Sequence, residues 1–115
     1  MRTEIIKLSS NNTIMFYIGK DANDNSDVVR NGDDDDLWFH ADDCSSCHVV
    51  AMMPDKCTKK EKHQIIKAGA LLCKKHTNKL RSIKEVPIIY TKLRNVVPTS
   101  TPGLVQHMNG NIIYA

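Results

Sequence analysis

Thr58-Lys59-Lys60-Glu61 is a capping box: the Thr58 hydroxyl accepts from the amide three residues on, and the Glu61 carboxylate reaches back. Beyond it Ile65, Ile66, Gly69, Leu72, Cys73 and His76 fall on one helical face, while Lys60, Lys67, Lys74 and Lys75 fall on the other. The spacing predicts one long helix, about residues 59–78. A helix with a broad apolar face must bury it against another layer. The rest of the apolar sequence is patterned as strands, so the second layer is expected to be a sheet.

Ile5-Ile6-Lys7-Leu8 and Thr13 to Ile18 are rich in β-branched and aromatic residues, and Ser9-Ser10-Asn11-Asn12 between them is turn chemistry. A hairpin is expected there. Gly19 to Asn25 is a loop, followed by a short helix near 26–31 capped by Asn25 or Ser26 and ended by Gly32. The run Asp33-Asp34-Asp35-Asp36 reads as a solvated loop, because unpaired carboxylates do not pack in a core. Leu37 to His40 and His48 to Met53 read as strands around the turn Asp42 to Ser46, with Pro54 closing the second. Val86 to Val97 reads as one strand, and Asn109-Gly110 as a two-residue turn joining Leu104–Met108 to Asn111–Tyr114. The expected class is α+β: a mostly antiparallel sheet of hairpins, one long helix and one short one.

At 115 residues the chain is sized for a single domain spanning 1–115. No apolar run approaches the ~18 residues that a membrane span needs, so no membrane partner is expected. Met1 to Lys7 carries an acid and a lysine where a signal peptide has an apolar core. An intracellular protein with free thiols is therefore expected. Charge is divided unevenly: residues 1–55 hold 4 Lys/Arg against 11 Asp/Glu, and residues 56–115 hold 12 against 2. A basic half of this kind marks a surface for nucleic acid, unless the two halves pair within the fold.

The chemistry-bearing residues crowd into Asp36 to Val50, which contains Trp38, His40, Cys44, Cys47 and His48. Cys44-Ser45-Ser46-Cys47-His48 spells a c-type haem attachment motif, and Cys44, Cys47 and His48 are also zinc-ligand types. Haem attachment requires export, for which no signal is present, and a zinc site requires a further ligand. A thiol nucleophile fits poorly, since strand neighbours Cys47 and His48 point to opposite faces. Gly19-Lys20 lacks the glycine spacing of a phosphate loop. Trp38, Phe39, His40 and His48 are types that stack on bases, although Trp38 suits a core better.

Several separated stretches together resemble the NFACT-R (NFACT RNA-binding) domain family. They are Tyr17-Ile18-Gly19-Lys20 with Asn25, Asp36-Leu37-Trp38-Phe39-His40, Ser46-Cys47-His48-Val49, Ile89-Tyr90-Thr91-Lys92 and Pro102-Gly103-Leu104-Val105. They match the family's G-K-x-x-x-x-N, D-x-W-[FL]-H, S-x-H-V, Y-T and P-G-x-V elements in order, over nearly the whole chain. Asp21 and the Trp38-Phe39-His40 form are most similar to the small eukaryotic coiled-coil domain-containing members, whose charged C-terminal coiled coil is not found within these residues. Nuclear export mediator factor and bacterial ribosome quality-control proteins carry the domain as one part of a larger chain.

The resemblance implies a non-catalytic RNA-binding module, with tRNA or ribosomal RNA as partner and ribosome association in quality control. It implies no cofactor or metal, and a cytoplasmic or nuclear location. Positions 44 and 47 are not ligand positions in the family pattern. The expected nucleic-acid contacts are His40, Ser46, His48, Lys74, Lys75, Lys92 and Arg94. Gly19, Asn25, Asp36, Trp38, Phe39 and Gly103 are expected to shape the motif. The alternatives are a zinc-stabilised protein using Cys44, Cys47 and His48, or an interaction adaptor presenting the acidic segments 33–36 and 42–43.

Overall fold

A computed structural model of the protein describes residues 1–115. Arg2–Lys7 (β1) and Thr13–Ile18 (β2) form the expected antiparallel hairpin, with Asn11 in the left-handed region at φ 73°. Helix α1 spans Ala22–Asn31, four residues longer at its start than the expected 26–31. Its N-cap is Asp21, whose side chain accepts from the Asp24 amide, so Asn25 and Ser26 lie inside the helix, and both are buried. Leu37–Ala41 (β3) and Val49–Ala51 (β4) pair antiparallel, and β4 also pairs with β2.

Helix α2, Lys59–Lys75, opens with the capping box as read from sequence. It ends earlier than Asn78, at a His76 cap whose amide donates to Leu72 O, and a short 3-10 turn at Asn78–Leu80 follows. Its buried residues are Ile65, Ile66, Gly69, Ala70, Leu72 and Cys73.

Pro87–Lys92 (β5) pairs with β3, but the expected strand to Val97 is interrupted. A 3-10 turn at Leu93–Asn95 follows β5, because the amides of Leu93 and Arg94 are drawn to the carbonyls of Asp36 and Asp34. Val96–Pro98 (β6) then enters a separate ribbon with Val105–His107 (β7). The hairpin expected across Asn109-Gly110 is corrected accordingly: β7 pairs with β6, and Asn111–Tyr114 (β8) pairs with β5. Asn109 does turn the chain, at φ 56°, but Met108 N bonds Asn95 O and the Thr91 hydroxyl bonds the carbonyls of Met108 and Asn109, so the turn carries the chain from ribbon to sheet.

The main sheet has the order β1-β2-β4-β3-β5-β8, with every pairing antiparallel. Strand alternation divides the core in two. Phe16, Ile18, Leu37, Phe39, Ala41, Val49 and Ile88 face α2. Trp38, Val50 and Ile89 face α1 and the β6–β7 ribbon, where they meet Val28, Val29, Leu93 and Val96. The architecture is α+β, with helices on both faces of an antiparallel sheet.

Asp36 departs from the solvated loop expected of 33–36. It is 5% exposed, and its carboxylate accepts from the amides of Asp33 and Met53, which anchor the chain on either side of the β3–β4 pair. Its neighbours Asp33, Asp34 and Asp35 are exposed as expected.

Candidate nucleic-acid interface

Gly19, Asn25, His40, Ser46, His48 and Gly103, from separate stretches of the sequence, meet near where β2 and β3 end and β4 begins. Gly19 N donates to His48 O, and the buried Asn25 Oδ1 accepts from His48 N at 3.0 Å. A methyl group on Gly19 would strike that Asn25 side chain and its backbone, so glycine is required there by close approach. Gly103, at φ +79°, lies against Ala22 and donates from its amide to Ser26 Oγ at 2.8 Å. The 102–104 turn is thereby fixed to the start of α1.

Behind this junction is an aromatic nest. Trp38 Nε1 donates to His48 Nδ1 at 3.2 Å. The Trp38 indole stacks on His40, with centroids 5.6 Å apart and planes 8° from parallel, while His48 presents its edge to both rings. His107 from β7 covers a further side of the indole at 5.4 Å. Burial, followed by the nearby His40, pushes the His48 imidazole down to about 3, and a bond to the Gly103 backbone opposes this only in part. His48 is therefore a neutral structural residue, 1% exposed, and does not protrude toward a ligand.

In front of the nest is an open cleft of about 680 Å³. Its walls come from the β2–α1 junction (Lys20, Asp21, Asn25), the end of β3 (His40), the loop Ser45–Cys47, the turn after α2 (His76 to Lys79) and the turn Pro102–Leu104. Lys20 and Lys79 are exposed cations on different walls, and Lys79 Nζ donates to Ser45 Oγ at 2.9 Å. Ser46 lines the cleft, but its hydroxyl is committed: it accepts from Ala41 N and donates to Cys47 O, both at 2.9 Å.

The remaining basic residues named from sequence lie elsewhere. Lys74 Nζ is turned to the carbonyls of Lys84 and Ala115. Exposed Lys75 shares a separate shallow hollow with Leu71 and Arg81. Lys92 and Arg94 stand at the opposite end of β3, beside Leu37, and both pair with Asp35. The charge halves do pair at that point, so the seven residues do not form one surface. Trp38 and Phe39 are 1% and 0% exposed, which leaves His40 as the one ring of the expected stacking set that lines the cleft.

Lys20, Thr77, Asn78 and Lys79 belong to the cleft and were not singled out. Lys20 had a signal, its place beside Gly19 in the motif. The 77–79 turn had none beyond its charge, because its position depends on where α2 stops.

The four cysteines are free thiols. Cys47 turns to the end of α2, where its thiol donates to Cys73 O and its amide to Thr77 Oγ1 just past the helix. His48 instead turns toward Trp38, so the Cys-x-x-Cys-His string is divided between the two faces of the sheet. No three His, Cys, Asp or Glu side chains gather in a way that suits a metal ion. The Cys73 thiol, free but hydrogen-bonded to Cys47 and fully buried, is held well above its ordinary range.

A protein-family model described as the NFACT protein RNA binding domain matches residues 4–109. The chain belongs to this family. NFACT-R is an RNA-binding domain family. Coiled-coil domain-containing protein 25 of Mus musculus is 32% identical over 96 residues, covering 79% of this chain and 44% of the relative. The Bos taurus protein of that name is 33% identical over 90 residues, covering 74% and 41%. The chain thus spans less than half the length of these curated relatives. A solved structure, the C-terminal part of the fibronectin/fibrinogen-binding protein from Streptococcus suis, shares the fold with a TM-score of 0.80. It is 18% identical, and the match covers 99% of this chain and 45% of that one.

Proposed function

We propose that this NFACT-R domain is a non-catalytic RNA-binding module and that the cleft between Lys20, His40 and Lys79 is its contact surface. The observation that carries the reading is the convergence: Gly19 and Asn25 both hydrogen-bond the His48 backbone, Gly103 is tied to Ser26 of α1, and Asn25, Ser46 and Gly103 line one cleft together with two exposed lysines. Exposed lysines serve phosphates, which position a nucleic acid without reading its sequence. Trp38 is sealed behind the cleft, so the contact is to backbone and ribose rather than a stack of bases.

The partner we infer is tRNA or a ribosomal RNA surface, with a role in ribosome-associated quality control, in the cytoplasm or the nucleus. These particulars rest on the family resemblance. The test is crosslinking of ribonuclease-trimmed RNA to the protein in extract. Tagged peptides from 19–25, 40–47, 76–79 and 102–104 are expected. Crosslinks confined to the lysine face of α2 would move the interface. Recovery of a basic protein on the acidic 33–35 loop, with no RNA, would replace the reading with the adaptor one.

A further inference from the structure

We infer that His40 is a ribose-reading residue, whose Nε2 accepts a hydrogen bond from a ribonucleotide 2′-hydroxyl and so favours RNA over DNA. The inference rests on the RNA-interface reading of the cleft and adds a chemical specificity to it.

The tautomer follows from geometry. His40 Nδ1 lies 2.7 Å from the carbonyl oxygen of Ala41, which only accepts, so Nδ1 carries the proton. In the neutral ring Nε2 is then a bare acceptor. Burial disfavours the charged ring and outweighs the Ala41 bond, which favours it, and the nearby His107 and Lys79 add to the lowering. Nε2 has no partner within the protein, yet no buried side-chain nitrogen or oxygen lacks one, so this atom reaches solvent. The ring lines both the large cleft and the adjoining cavity of about 230 Å³.

The ring is also held in place. Trp38 stacks beneath it within 8° of parallel, and the edge of His48 abuts it at 4.8 Å. A fixed acceptor loses little freedom when it bonds a ligand, which is the condition for selectivity.

The neighbouring groups give the ligand its chemistry. Lys20 and Lys79 supply donors for an anion. The side-chain oxygens of Asn25, Ser46 and Thr77 already accept from the amides of His48, Ala41 and Cys47. An unspent acceptor beside two cations fits a phosphate that carries a neighbouring hydroxyl donor. In a nucleic-acid strand that donor is the 2′-hydroxyl, the group by which proteins tell RNA from DNA.

The experiment compares one single-stranded sequence as RNA, as DNA and as 2′-fluoro RNA, bound to the full chain at neutral pH and one low salt concentration. The fluoro sugar keeps a ribose-like pucker and lacks the donor. RNA is expected to bind about three- to tenfold more tightly than either analogue, the range of one net hydrogen bond. His40→Phe keeps a ring over Trp38 and removes the acceptor, and is expected to bind all three strands alike. Equal binding of RNA and 2′-fluoro RNA to the unaltered protein overturns the ribose inference and leaves the interface reading standing. So does a preference retained in a folded His40→Phe. Failure of every strand to bind overturns the interface reading itself. The comparison of strands on the unaltered protein decides the matter even where the variant does not fold.

Discussion

The indole Nε1 of Trp38 donates to Nδ1 of His48 across 3.2 Å, and both residues are 1% exposed. The bond requires His48 to be unprotonated at Nδ1, which joins the ionisation of one ring to the integrity of the second core. Trp38 holds His40 by stacking, so the same bond supports the cleft face.

Stability should therefore depend on pH through His48. Its folded value of about 3 lies below the ordinary 6.5. The unfolded chain takes up a proton below about 6.5 that the folded one refuses, so this contribution is complete above that pH and is lost as pH falls toward 3. The limiting slope is about 1.4 kcal/mol per pH unit for one proton. His40, also lowered, acts in the same direction. Half-buried Glu61, held at about 2 by Asn12, Ser10 and Thr58, stabilises above the ordinary glutamate value of 4.5 and loses that contribution only as pH falls below it. Urea midpoints measured from pH 7 down to pH 4 should fall steadily, and His48→Gln should flatten the fall. A His48 ring titrating near pH 6 by NMR in the folded protein would refute the assignment.

Lysine substitutions should separate the cleft from the rest of the basic surface. Lys20→Ala and Lys79→Ala are each expected to reduce the salt slope of single-stranded RNA binding by about 0.7, the value for one phosphate contact. Lys92→Ala and Arg94→Ala should leave the slope close to that of the unaltered protein, because both side chains face Asp35 at the other end of β3. Anisotropy titrations at four or five salt concentrations measure this. A steeper loss from Arg94→Ala than from Lys20→Ala would place the interface at the wrong end of the sheet.

What was legible in the sequence was local. The capping box of α2 and its apolar spacing involve residues within one or two turns of each other, and both appear in the structure. Alternation along β3 put Trp38 and His40 on one face, but nothing near them says that α1 and the ribbon seal the Trp38 end. The start of α1 was obscured because Asp21, Asn23, Asp24, Asn25 and Ser26 are all good caps, and the choice of Asp21 depends on Asn25 being needed at His48 N. Asn109-Gly110 carried a sound turn signal attached to the wrong strands, since pairing was decided by distant bonds to Thr91 and Asn95. Lys79 reached the cleft only because α2 stops at Lys75.

Asp36→Ala should be costly for a residue drawn from an acidic run. It leaves the amides of Asp33 and Met53 without their acceptor, at about 1–3 kcal/mol for each group that stays buried. A loss of about 2 kcal/mol or more is expected by urea denaturation, against less than about 0.5 kcal/mol for exposed Asp34→Ala. Equal effects of the two substitutions would mean that Asp36 is not an anchor.

Gly69→Ala is a sharper test of how α2 meets the sheet. In a solvated helix this change is stabilising by about 1 kcal/mol, because alanine is the better helix former. At this site a methyl group would run into the ring of Phe39, which is 0% exposed and lies between the helix and the sheet. Overpacking of that kind costs about 1–3 kcal/mol and should exceed the propensity gain. A net destabilisation is therefore expected, with α2 displaced from β3. Phe39→Leu alone should also destabilise, by leaving space over Gly69. Combined, the two changes should recover part of the loss, with a coupling of at least about 0.5 kcal/mol in a double-mutant cycle. Additive losses, or a Gly69→Ala protein more stable than the parent, would show that the helix does not approach β3 as closely as the Phe39 contact requires.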